Sequence, residues 1–149
     1  VLGLGPGWSR TGSRHQENRK ERFMATLSER VKQAWEDREG PAILATVSPD
    51  GIPNIIYVTC VGSFGDDCLV VADNYFDKTR KNLHDGNRAG SILFQAKDGK
   101  AYQAKGTLEY HTEGEIFDDM KRWNPAQHPG HAAAVLRVAS VYSGAEKVC

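Results

Sequence analysis

At 149 residues, with 19 basic and 19 acidic side chains in balance, the chain predicts one domain large enough to bury a core without disulfides. The lack of net charge removes any sequence-wide electrostatic case for nucleic acid or an anionic membrane as partner, and no apolar run approaches membrane-spanning length. Cys60, Cys68 and Cys149 show no C-x-x-C spacing, which argues against a disulfide framework or a zinc site and predicts free thiols in a reducing cytoplasm.

The opening VLGLGPGW is too short and too broken by Gly and Pro to be a secretory signal. Residues 1–22 are rich in Gly, Ser and Arg with almost no apolar periodicity, which predicts disorder. With Met24 just ahead of a helical pattern, residues 1–23 read as an upstream extension and 24–149 as the folded domain. Thr26 and Glu29 have capping-box spacing, and Leu27, Val31, Ala34 and Trp35 form one helical stripe. Gly40-Pro41 should stop that helix.

Strands dominate from there. Ala42–Ser48 is apolar and β-branched, and SPDG at 48–51 is a turn signal. Ile52–Val61 reads as one long strand, Gly62–Asp67 as a turn and Leu69–Ala72 as a buried strand. A short helix at Lys78–His84 should end at Asp85-Gly86. Ala89–Ala96, the KDGK turn and Ala101–His111 predict a hairpin, with a bulge at Gly106. Glu113–Trp123 predicts a helix with Ile116, Phe117, Met120 and Trp123 on one face. NPAQHPGH is a loop, and Ala133–Tyr142 is the last strand. The expected fold is mostly β, a split barrel of about six antiparallel strands with flanking helices.

The stretch LVVADNYFDKTRKNL, Leu69 to Leu83, carries the clearest chemistry. An apolar strand runs into Lys78-Thr79 at a helix start, with Arg80 and Lys81 behind them. The free N–H groups of a first helical turn and a Lys ammonium together make an anion site, here read as a phosphate pocket. Elsewhere there is no P-loop, no G-x-G-x-x-G preceded by a strand and no G-x-S-x-G. His128 and His131 lack a third metal ligand, so no metal is expected.

The order of these features from Ala42 to Phe94, above all Val70–Phe94 with its Asn-Tyr, basic pair, helix and Asn-Arg-Ala, resembles the FMN-binding split barrel of the pyridoxamine 5′-phosphate oxidase family. The small single-domain flavoproteins of that family are the nearest likeness, and the weaker resemblance runs on to about Tyr142. It implies a homodimer with FMN in a groove between protomers. The implied cofactor-binding positions are Tyr57, Val58, Thr59 and Cys60 on the second strand, Ala72 and Asp73 at the end of the third, and Lys78 and Thr79 at the helix start. Relatives with oxidase activity place Arg where this chain has Tyr57, and their Arg-x-His segment near the C-terminus has no counterpart in Leu136-Arg137-Val138. Oxidation of pyridoxamine phosphate is therefore not implied. The expectation is an FMN-dependent oxidoreductase or electron-transfer protein with a small molecule or a protein as redox partner. Haem, with a His of HPGH as axial ligand, a deazaflavin, and a dimer module with a vestigial site are the alternatives.

Overall fold

The computed structural model describes residues 26–149, so the expectation for 1–23 lies outside the described residues. Within them, eleven elements follow in the order α1 (Glu29–Glu36), β1 (Ala42–Val47), β2 (Pro53–Val58), β3 (Val61–Phe64), β4 (Cys68–Asp73), α2 (Lys78–Asp85), β5 (Asn87–Gln95), β6 (Ala101–His111), α3 (Glu115–Trp123), β7 (Ala132–Ser143) and β8 (Glu146–Lys147). All these strands join one antiparallel sheet in the order β2-β1-β5-β6-β7-β4-β3, with β8 on β7. The curled sheet and its three helices make the expected split barrel.

The long predicted strand Ile52–Val61 is two strands. Up to Val58 it pairs with β1, and from Val61 it pairs with β4. Thr59 and Cys60 lie between the two ladders, where the chain changes partner. The two edges of the sheet are thus joined by two residues, which obliges the sheet to curl until its edges approach. Periodicity reports that the chain stays extended, not which strand it pairs with, so the break and the strand Val61–Phe64 are invisible locally. The turn is confined to Gly65–Asp67, with Gly65 at φ +61°.

Two layers of apolar side chains hold the curl. Inside it, Leu44, Ile92, Phe94, Tyr102, Leu136 and Val71 pack with Val31, Ala34 and Trp35 of α1. Phe94 meets Trp35 edge-on at 4.9 Å and stacks on Tyr102 at 5.5 Å. Outside, Ile116 and Met120 of α3 cover Cys68, Val70, Ala72, Ala133 and Val135, with Phe117 and Trp123 partly buried beside them. Every residue of β4 is therefore buried, as is β7 from Ala132 to Leu136, because core lies on both faces. Among the described residues no such cover lies over the far face of β2, where Ile55 and Tyr57 are 67% and 75% exposed.

Local signals were displaced where tertiary contacts intervene. The N-cap of α1 lies two residues after the predicted one: it is Ser28, not Thr26, its hydroxyl accepting from the Val31 N–H at 3.4 Å. The Leu27 N–H donates to the Asp66 carbonyl at 2.7 Å and the Ser28 N–H to Cys149 Sγ at 3.1 Å, so tertiary contacts take up the chain ahead of Glu29 in place of a Thr26 cap. The helix ends at Glu36, before Gly40-Pro41, because Arg38 bridges to Ala96 and Glu39 donates to the Gln95 carbonyl. The predicted bulge at Gly106 is present. The β6–β7 register shifts between Lys105 and Gly106, and a Cβ there would collide with the Arg137 carbonyl oxygen. Cys60 and Cys68 lie at opposite ends of the β3–β4 ladder, and both are free thiols. Among the described residues, no helix is long and apolar enough to cross a membrane.

Candidate functional site

A cleft of about 370 Å³ opens where β2 hands over to β3 and β4 hands over to α2. Seven of the eight positions singled out above line it: Tyr57, Val58, Thr59, Cys60, Ala72, Lys78 and Thr79. Of the four assigned to strand two, only Tyr57 and Val58 are in β2, while Thr59 and Cys60 form the partner-switching link. That link leaves Thr59 outside both ladders, so its backbone groups are available to the edge of a planar ligand. Cys60 is anchored by the Ala72 N–H, which donates to its carbonyl at 2.9 Å.

The start of α2 gathers donors that suit an anion. Its N-cap, Asp77, makes no side-chain capping bond, so the first-turn N–H groups keep their donor capacity. Thr79 is 2% exposed, and its hydroxyl oxygen accepts from Asn54 Nδ2 at 3.0 Å. With that lone pair engaged, the hydroxyl proton is free to be donated into the cleft. Lys78 is exposed at the rim and adds the charge. Asp77 also lines the cleft, and its carboxylate keeps the site from being uniformly positive.

Asp73 is the exception among the eight. Its carboxylate is 0% exposed and turned away from the cleft into a bidentate bond with Arg80, at 2.7 and 2.9 Å, joined by the Tyr110 hydroxyl and the Phe76 N–H. Burial pushes this carboxyl up, but the hydrogen bonds from Arg80, Tyr110 and Phe76 outweigh it and leave it below its ordinary value. Burial, and next the Asp73 carboxylate, push the Tyr110 hydroxyl up to about 12. Arg80 therefore belongs to this brace between β4 and α2 and not to the anion site, although it stands beside Lys78-Thr79 in the sequence.

Asn54, Tyr75 and His128 also line the cleft, and none of them is among the eight positions singled out above. The position of Asn54, opposite Thr46 on β1, carries no local signal, because its partner Thr79 is brought beside it only by the fold. Trp35 and Trp123 pack as helix-face residues, as expected, with Trp35 1% exposed and Trp123 against Gly62. Arg137 pairs with Glu109 at 2.6 Å and is not among the cleft residues.

A family model described as Pyridoxamine 5′-phosphate oxidase matches residues 27–144. The protein MJ0282 of Methanocaldococcus jannaschii is 30% identical over 105 residues, which cover 67% of this chain and 70% of that one. HupZ of Group A Streptococcus superposes with a TM-score of 0.68 at 26% identity, over 78% of this chain and 93% of that one. An FMN-binding protein from Syntrophomonas wolfei shares the fold with a TM-score of 0.66 at 20% identity, over 92% and 93% of the two chains.

Proposed function

Since the chain belongs to the pyridoxamine 5′-phosphate oxidase family, we propose that it is an FMN-binding oxidoreductase or electron-transfer protein that holds the cofactor at a homodimer interface. The observation that carries this reading is the buried Thr79 hydroxyl, engaged by Asn54 and set beside Lys78 at an uncapped helix start. A phosphate monoester is the group such donors fit. Thr59, which also lines the cleft, offers unpaired backbone groups to a flat ring, and the S. wolfei protein with this fold is described as FMN-binding.

FMN would supply the hydride or electron transfer itself. The chain's part is to bind and orient. Lys78, Thr79 and the α2 N–H groups take the phosphate, and the β2–β3 link lies along the ring. The Asp73–Arg80–Tyr110 brace fixes the direction in which α2 starts. The exposed Ile55 and Tyr57 adjoin the cleft on β2. Tyr57 stands in one cross-strand row with Ile43 and Leu93, and Ile55 in the next row with Ala45. A second copy covering this face would bury an apolar patch and close the cleft with it. Three free thiols suit a reducing, cytoplasmic setting.

The test is the visible spectrum of the purified protein before and after addition of FMN. Paired near-ultraviolet and blue bands, with free FMN released on denaturation, are expected. A colourless protein that ignores FMN at high micromolar concentration would overturn the reading.

A further inference from the structure

The loop after α3 is fastened where it meets the cleft. The buried Asn74 and Asn124 side chains exchange two amide hydrogen bonds, at 3.0 and 2.9 Å, and Asn74 Oδ1 also accepts from the Gly130 N–H at 3.0 Å. The His131 N–H donates to the Asp73 carbonyl at 2.8 Å, and Lys121 Nζ donates to the Pro129 carbonyl at 2.9 Å. Leaving buried amides unpaired is costly, so these bonds hold the loop in one position.

His128 rides on that loop and reaches the cleft wall. Its Nδ1 lies 3.1 Å from the Tyr75 hydroxyl, and the two rings meet edge-on with centroids 5.6 Å apart. Tyr75, on the segment between Ala72 and Lys78, lines the cleft with both of them, so the imidazole that it meets belongs to the same wall. Among the described residues no hydrogen bond engages Nε2. The loop is already secured by bonds that do not involve the imidazole, so fastening alone does not account for His128. The tautomer in which Tyr75 donates to Nδ1 carries its ring proton on Nε2, free for a ligand acceptor; the other tautomer donates Nδ1–H to the Tyr75 oxygen and leaves Nε2 a lone pair.

We infer that His128 is a ligand-binding residue of the cleft, its Nε2 engaging the bound cofactor, with Tyr75 and the Asn74–Asn124 pair as positioning residues. This rests on the reading of the cleft as a cofactor site and extends it beyond the phosphate end. The expected loss on removing one such hydrogen bond is about tenfold in affinity.

The experiment titrates the full chain and its variants with FMN, followed by flavin fluorescence, and with hemin, followed at the Soret band. His128→Phe should raise the Kd for FMN about tenfold, and His128→Gln, which keeps an N–H donor, should recover most of that. Tyr75→Phe should shift the absorption of the bound flavin, and combining it with His128→Phe should add no further loss, because its effect passes through the imidazole. Ligand-free thermal melts check that each variant folds. FMN binding that Lys78→Ala weakens but His128→Phe leaves within about twofold of wild type overturns the inference and spares the flavin reading. Refusal of FMN, together with a hemin Soret band that His128→Phe abolishes, overturns the flavin reading and supports His128 as a ligand residue in the other tautomer, with Nδ1–H donating to the Tyr75 oxygen and the Nε2 lone pair meeting the iron. Refusal of both ligands overturns both.

Discussion

Arg80 grips both carboxylate oxygens of Asp73, at 2.7 and 2.9 Å, and so ties the first turn of α2 to the last residue of β4. The carboxylate has no solvent exposure, and without the guanidinium it would be left charged and short of donors. Arg80→Ala should therefore cost about 2–3 kcal/mol. The urea midpoint measures this, and a variant as stable as wild type would show the brace to be incidental.

The same carboxylate sets an acid limit. Its folded-state value is lowered while the unfolded chain protonates near pH 4. The unfolded state therefore binds more protons below about pH 4, and stability falls there. Its contribution is fully present above that value and is lost as pH falls through the folded one. Glu109 acts with the same sign: burial raises it, but the bonds from Arg137 and His111 prevail. Stability measured from pH 7 to 2 should be flat and then drop, with a shallower drop in Asp73→Asn.

Lys78→Ala should weaken FMN roughly ten- to a hundredfold, the range for one charge-assisted contact to a phosphate. Riboflavin, which lacks the phosphate, should bind wild type and variant alike. Equal losses for both ligands would place Lys78 elsewhere on the cofactor.

Gly106→Ala should disrupt the barrel. The added Cβ collides with the Arg137 backbone carbonyl rather than with a movable side chain, so β6 and β7 must part. A loss of about 3 kcal/mol or more is expected, read from chemical unfolding.

Ile55→Asp should convert a dimer to a monomer in sedimentation, with the far-ultraviolet circular dichroism unchanged. Ile55 is 67% exposed, so the variant has little reason to unfold. An unaltered mass would remove this face from the proposed interface.

Cys60 and Cys68 should differ in reactivity. Burial, and next the Asp67 carboxylate, push the Cys68 thiol up to about 12, while Cys60 is half-buried in the cleft wall. Iodoacetamide near pH 8, with mass spectrometry, should label Cys60 well before Cys68, and FMN should protect Cys60. Labelling of Cys60 that FMN leaves unchanged would put the ring elsewhere.

What the chain determined on its own was local. Leu69–Ala72 reads as buried because an uninterrupted apolar run can satisfy two faces, and the turns at SPDG and KDGK are set by Gly51 at φ +81° and Gly99 at φ +84°. The helix start at Lys78 and Thr79 is likewise legible, since the residues of a first helical turn are neighbours in sequence. The tertiary structure decided what depends on partners distant in sequence. The ladder switches at Thr59–Cys60 because β4, not β1, lies beside Val61. Arg80 is drawn into a brace because Asp73 is buried next to it, and the Thr79 hydroxyl oxygen is engaged by Asn54, 25 residues away. His128 enters the cleft because Asn74 and Asn124, 50 residues apart, form one buried amide pair. Burial and hydrogen-bond satisfaction are properties of the assembled surface, so no window of the sequence contains them.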